Sequence, residues 1–294
     1  MSTSVRIGVI GGSGLYHMDG LSALEEIHID TPFGTPSDTI RIGEIDGIRL
    51  AFLPRHGRGH TYDPSGIPAQ ANIWAMKSLG VEYLLSVSAV GSLREHIAPT
   101  DIVIPNQIVD RTIHRPRSFF EKGFVTHIGF AEPFCPWLSS VIAQKAKTIA
   151  GVNLHEGGSY ICIEGPQFSS KAESALYRQW GMDIIGMTAI PEAKLAREAE
   201  ICYAIIACVT DYDCWHESEE HVTVDLVIRN LNAALQNAQQ LIRAVLPMLA
   251  SDRNKQTCPC PSALSNAVIT DPAVISAEMK LKYRLLMEKY PDFR

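Results

Sequence analysis

Two short stretches without a single charged residue, Tyr83 to Val90 and Ile201 to Val209, restrict the fold of this chain most. Each is too short for a core helix and rich in β-branched or small apolar residues, so each reads as a strand, the second long and buried. Further strands are predicted at Val5–Ile10, Ile40–Ile42, Ile48–Leu53, Asp101–Ile104, Tyr160–Ile163 and Ile184–Ile185. Between them lie helical patterns. Pro68–Leu79 has Ala71, Trp74, Ala75 and Ser78 at helical spacing, and Pro136–Ala150 starts on proline and stops before Gly151. Ser170–Trp180, Pro191–Glu200 and the long Val224–Leu249 complete the set. Strands alternating with helices predict an α/β layered fold with a mixed central sheet flanked by helices.

The chain has 294 residues, enough for one large domain or two small ones. No linker interrupts it before about residue 250. The reading is one domain over residues 1–250, with an extension over 251–294 that carries a terminal helix, Ala273–Tyr290, and packs on the same domain. A formal charge of −6 argues against a broad nucleic-acid surface but leaves room for a local basic pocket. No apolar run is long enough to cross a bilayer, and the N-terminus lacks a signal-peptide pattern, so a cytoplasmic protein with no membrane partner is expected. Seven scattered cysteines do not form a secreted framework. Cys258-Pro259-Cys260 can form a redox pair, ligate a metal, bridge to a core cysteine such as Cys202, or remain two thiols. No His-Cys set has zinc spacing, and no metal site is expected.

The chemistry gathers where strands end. Arg55-His56-Gly57-Arg58-Gly59-His60 follows the Ile48–Leu53 strand, and a planar guanidinium there can hold two oxyanion oxygens while His56 donates to a third. Gly11-Gly12-Ser13-Gly14 follows the first strand and can close backbone N–H groups on an anion, with Ser13 as an added donor. It lacks the Lys of a Walker loop and the third glycine of a dinucleotide fingerprint. Ser86 to Ser92 ends a strand with small and hydroxyl-bearing residues, and ligands of open α/β sheets lie at that edge. Phe168 in Glu164–Ser170 can stack on a heterocycle or sit in the core, and Gly186-Met187-Thr188-Ala189 joins a polarizable thioether to a hydroxyl. Asp211 and Asp213 follow the apolar run through Val209, and strand alternation puts both carboxylates on one side. Two acids can bind a metal, share a proton or grip a nitrogen-rich base, and one of them can be a helix N-cap. Neither His216 nor any other neighbour completes a metal set there.

These motifs, in this order, resemble those of the 5′-deoxy-5′-methylthioadenosine phosphorylases of the trimeric purine nucleoside phosphorylase superfamily. The resemblance runs from about Val5 to Pro247 and adds Thr31–Asp38, Gln70–Ala75, Gly91–Glu95, Ala131–Pro136 and Thr210–Trp215 to the motifs above. It implies a single-domain purine nucleoside phosphorylase-like fold and phosphorolysis of methylthioadenosine to adenine and 5-methylthioribose 1-phosphate, a purine and methionine salvage reaction. It also implies that phosphate meets Ser13, Arg55, His56, Ser88, Ala89 and Thr188, and that Met187 lines the ribose. Phe168, Ser169, Asp211 and Asp213 surround the adenine, and Val224 and Val227 line the methylthio pocket. His127 reaches into a neighbouring subunit's site, which implies a homotrimer or a multiple of trimers. No cofactor is implied; inorganic phosphate is a co-substrate. Asp213 is the candidate proton donor to N7 and Asp211 the acceptor from the exocyclic amine. The chain departs from the animal form at Ser88 (Thr there), Gly186 (Asn) and Ala189 (Thr). Two rival readings are a purine nucleoside phosphorylase acting mainly on adenosine or inosine, and a nucleotide-binding protein without catalysis.

Overall fold

A computed structural model describes residues 5–12, 21–216, 223–251 and 258–293. Among them, strands β1 (Ile7–Gly11), β4 (Ile48–Pro54), β5 (Tyr83–Ser92) and β11 (Cys202–Asp211) run parallel and form the centre of a mixed sheet. The two uncharged stretches are neighbours, β5 and β11, paired from Tyr83↔Cys202 onward. β1 and β11 are buried throughout and β4 and β5 over most of their length, which is why their sequences show apolar runs rather than alternation.

One arm of the sheet continues from β1 through β4 to β3 (Ile40–Ile45) and β2 (Ser22–Ile27). At its other edge β5 serves two partners. β11 takes its length, and β10 (Ile184–Gly186) pairs antiparallel with its last residues, Gly91 and Ser92. From β10 the sheet runs through β9 (Ser159–Ile163) to β7 (Gln107–Arg111), and from β11 through β6 (Ile102–Ile104) to β8 (Leu154–Glu156). This fork at the end of β5 opens the sheet where the ligand-directed motifs lie.

Helices α1 (Ala69–Ser78), α2 (Pro136–Ala146), α3 (Lys171–Gln179), α4 (Ala189–Glu198) and α5 (Val224–Ser251) fall on the predicted segments. The apolar core forms two large clusters. One joins Trp74, Met76, Leu195 and Ile205, the other joins Val9, Leu85, Ile206 and the α5 residues Leu241, Val245 and Leu249. A third, smaller cluster sits under α3, around Tyr177 and Ile161. The extension buries Leu264, Tyr283, Leu286 and Met287 in the first large cluster and Cys260 in the second.

Three strands escaped the sequence reading: β2, β7 and β8. They are the three free ends of the forked sheet. Edge strands carry charge, as in Ser-Ala-Leu-Glu-Glu-Ile for β2 and Gln-Ile-Val-Asp-Arg for β7, and so lack a strand's apolar signature. The single terminal helix expected at Ala273–Tyr290 is two short ones, α6 (Ala277–Lys282) and α7 (Arg284–Met287), separated at Tyr283. Tyr283 is fully buried against Phe120 and Phe124, so packing of that ring overrides helix continuity.

Candidate active site

A cavity of about 830 Å³ opens at the fork, lined by the carboxyl ends of β4, β5, β10 and β11 and by the start of α5. It collects Arg55, His56, Ser88, Ala89, Phe168, Ser169, Met187, Thr188, Asp211, Asp213, Val224 and Val227. Of the predicted site residues, Ser13 lies outside the described residues. His127 is exposed, does not line this cavity, and is held by its backbone N–H to the carbonyl of Ala267.

Arg55 leaves β4 and points back under the sheet, 1% exposed. Its Nε and Nη2 donate to the two carboxylate oxygens of Glu192 at 2.8 and 2.9 Å. Nη2 also reaches Ser86 Oγ at 2.6 Å, and Nη1 donates to the Val87 carbonyl at 3.0 Å. Glu192 Oε1 accepts further bonds from Ser86 and from Tyr203 Oη, each at 2.8 Å. Burial opposes the guanidinium charge, but Glu192 more than offsets it, and the pKa of Arg55 stands above its ordinary value. The guanidinium is therefore a fixed charge in a fixed plane, with the second N–H of Nη1 left for a ligand among the described residues. The other arginine of the motif, Arg58, stays outside, half exposed and paired with Glu26 and Asp38.

His56 behaves differently from its sequence expectation as a donor. Its Nδ1 sits 2.8 Å from the Tyr62 carbonyl, which only an N–H can approach, so this nitrogen donates. Burial, and then the positive charge of Arg55, push its pKa down to about 4. The ring is neutral at pH 7 and stacks on His60 at 4.2 Å. Its Nε2 consequently carries a lone pair and accepts; a protonated phosphate oxygen is a matching donor. Next along β5, Ser88 Oγ and Thr188 Oγ1 lie 2.9 Å apart, both facing the cavity. Thr188 precedes α4 without capping it, because its hydroxyl is engaged by Ser88 instead.

The acid pair lies at the end of the neighbouring strand β11. Asp211 pairs with Gly91 across the β11–β5 ladder, four residues beyond the Val87 contact of Arg55. At about 3.3 Å per residue that is roughly 13 Å. A side chain on Gly91 would begin 2.8 Å from Asp211 Oδ1, so this close approach requires glycine. Thr210 Oγ1 and the Asp213 N–H donate to the two oxygens of Asp211, at 2.7 and 2.8 Å. Strand alternation does not explain the pairing, as the sequence had suggested. β11 ends at Asp211, and Asp213 lies in a turn at φ 51°, a left-handed conformation that Asp tolerates better than most residues. Burial pushes the pKa of both carboxyls up; for Asp213 the Asp211 charge adds to it. Bonds from Thr210 and the Asp213 N–H favour the ionised form of Asp211, and Ser174 and Cys214 do the same for Asp213, which alone carries the added repulsion of its neighbour.

Around these polar groups the wall is apolar. Phe168 is 46% exposed at the rim, and α5 supplies Val224, Val227, Ile228 and Leu231. Ser169 Oγ is buried with no bond among the described residues. Gly186, where the animal form of the resembling family has Asn, is dictated by Tyr160: a Cβ there would lie 2.0 Å from the tyrosine oxygen.

Sequence reasoning missed Glu192 and Arg115. Arg115 is buried and donates to the carbonyls of Met187, Ile190 and Glu164, locking the two loops that carry Met187 and Phe168 together. The signal for Glu192 was present: a carboxylate among Ile190, Ala193 and Ala196, on a helix otherwise read as buried. Arg115, in His114-Arg115-Pro116-Arg117, had none beyond its charge.

The sequence profile of the phosphorylase superfamily matches residues 6–247. The S-methyl-5′-thioadenosine phosphorylase of Gloeobacter violaceus is 54% identical, over 98% of this chain and 97% of that protein. That of Geobacter sulfurreducens is 53% identical over 97% and 98%. Among solved structures, a methylthioadenosine phosphorylase from an antarctic soil metagenomic library superposes with a TM-score of 0.91 at 47% identity, covering 97% of this chain and 99% of that one. The Schistosoma mansoni enzyme in complex with adenine gives 0.81 at 32% identity, over 98% and 100%. A variant of that enzyme is described as an adenosine/methylthioadenosine phosphorylase. With the forked sheet, the anion-directed arginine and the acid pair all in place, this chain belongs to the phosphorylase superfamily and, within it, to the S-methyl-5′-thioadenosine phosphorylases.

Proposed function

We propose that this protein cleaves 5′-deoxy-5′-methylthioadenosine with inorganic phosphate, giving adenine and 5-methylthioribose 1-phosphate, and that it uses no cofactor in doing so. One observation carries the reading: a single cavity holds a fixed cation and two hydroxyls at one point along β5 and two buried acids about 13 Å farther on. Phosphate lies against Arg55 Nη1, Ser88, Ala89 and Thr188, with Ser13 of the first glycine-rich turn, outside the described residues, as a further donor. His56 accepts from a protonated phosphate oxygen. A phosphate oxygen attacks C1′ as the C1′–N9 bond breaks, and the bond's electron pair passes to the purine. Asp213 gives its proton to N7, and Asp211 accepts from the 6-amino group. Positioning the anion against the sugar supplies up to about 7–11 kcal/mol of the barrier reduction.

Phe168 stacks on the base, and Ser169, whose hydroxyl has no bond among the described residues, is free to meet it. Met187 packs on the ribose, and Val224 and Val227 hold the methylthio group. Val224 and Ile228 are 63% and 50% exposed at the rim, a surface that a second subunit suits. We read the active form as a homotrimer in which His127 serves a neighbour's cavity, since it does not reach its own. No described helix is long and apolar enough to cross a membrane.

The decisive assay is adenine release from methylthioadenosine with and without phosphate, beside adenosine and inosine. Rapid, phosphate-dependent release from methylthioadenosine is expected. Best turnover of inosine overturns the assignment of the acid pair, and binding without turnover overturns catalysis. Mass measurement in solution tests the trimer.

A further inference from the structure

Four cysteines that sequence order keeps apart converge at the opposite end of β11 from the acid pair. Cys135 precedes α2, Cys202 opens β11, and Cys258 and Cys260 belong to the extension. Their Sγ atoms all lie within 4.8 Å of one another, and Cys202 and Cys258 are 3.4 Å apart. We propose that Cys135, Cys202, Cys258 and Cys260 bind one zinc-type divalent ion as a tetrathiolate that clamps the extension to the core.

Sulfurs at the corners of a tetrahedron with zinc–sulfur bonds of about 2.3 Å stand about 3.8 Å apart. The observed spacing brackets that edge. Disulfide-bonded sulfurs stand about 2.05 Å apart, and two disulfides have no reason to share a centre. All four cysteines here are unbridged. The Cys-Pro-Cys pair forms a short chelate, and Cys135 and Cys202 close it from the core. Cys135 is the N-cap of α2, where its Sγ accepts the N–H of Leu138 at 3.5 Å. Three of the four are buried; Cys258 borders a cavity of about 300 Å³ that gives an ion its entry path.

The clamp has a mechanical consequence. The extension pairs with the segment that carries His127: Val268 bridges Thr126, and the Ile269 N–H bonds the Val125 carbonyl. Holding Cys258 and Cys260 therefore fixes the extension from which that segment hangs. None of the four cysteines lines the active-site cavity, so the ion is structural.

The test uses the full chain purified without chelator, analysed by plasma mass spectrometry and by thiol titration under denaturing conditions. About one zinc per chain is expected, with all seven cysteines titrating as thiols after reductant-free denaturation in chelator. Cobalt exchanged into the protein should show the visible absorption of tetrahedral thiolate coordination. Removing the ion should lower Tm by at least about 5 °C. The double variant Cys258→Ser/Cys260→Ser should lose the metal; should it fail to fold, the cobalt spectrum of the unmodified chain decides. Absence of stoichiometric metal overturns the proposal, whether the thiols are then found free or paired as disulfides.

Discussion

Arg55 and Asp213 are both buried ionisable groups on one cavity, yet Arg55 meets a carboxylate and Asp213 meets another acid. At the first position every donor but one is spoken for, and the charge is permanent. At the second, burial and the charge of Asp211 raise the carboxyl's pKa, and its protonation is open to change. A group that must hold an anion in place through the reaction suits the first arrangement. A group that must hand over a proton suits the second, because a buried acid with a negative neighbour keeps its proton to higher pH. The same burial thus leaves a fixed charge in one place and a carboxyl with a raised pKa in another; the partner decides which.

The largest test strikes the donor. Asp213→Asn should lower kcat by roughly 10²–10⁴-fold while the KM for phosphate stays near its original value. In the unmodified protein kcat should fall as pH rises through the elevated pKa of Asp213, since the protonated form is the active one, and the variant should lack that limb. A loss under about tenfold, with the pH profile unchanged, breaks the contrast. The anchor comes next. Glu192→Ala leaves the Arg55 charge buried and unpaired, which should cost about 3–5 kcal/mol in urea unfolding and raise the KM for phosphate. Full stability in that variant means that Arg55 is not held as described.

Glu198 sharpens the comparison as a buried acid outside the cavity. Burial pushes its pKa up to about 7, against the bonds it receives from Phe119 N and Ser118 Oγ. Between its ordinary value of 4.5 and about 7 the folded state binds this proton more tightly than the unfolded one. Its contribution is complete below the ordinary value and is lost as pH rises through about 7, up to about 3 kcal/mol in all. Glu198→Gln should flatten that slope in melting curves and leave the pH dependence of kcat untouched; movement of both would show that the cavity is not electrostatically separate. The smallest effect belongs to the apolar wall. Val227→Thr keeps the shape and adds a hydroxyl, and should narrow the preference for methylthioadenosine over adenosine by about 1–2 kcal/mol in kcat/KM. An unchanged ratio removes Val227 from the 5′ pocket.

Reading the chain in order located every central strand and each helix through α5, because buried strands and amphipathic helices write their periodicity into local sequence. It failed at β2, β7 and β8, whose polar composition reflects a place at the sheet's free ends. In the cavity, residues standing in recognisable motifs were legible. The supports behind them were not: Glu192 and Arg115 act through long-range bonds, Glu192 to a residue 137 positions away.

What the sequence determined alone is the class of fold and the chemical types at the strand ends, since apolar runs, glycine turns and clustered charges are local properties. Tertiary structure decided how those types behave. It set His56 as a neutral acceptor by aiming Nδ1 at a carbonyl, and it kept Arg58 outside while drawing Arg55 in. It brought Asp213 to Asp211 through a turn rather than through strand alternation, and burial raised the pKa of both. It also gathered four scattered cysteines at one point. Protonation, pairing and coordination depend on what lies within a few ångströms, and only the folded chain brings those neighbours together.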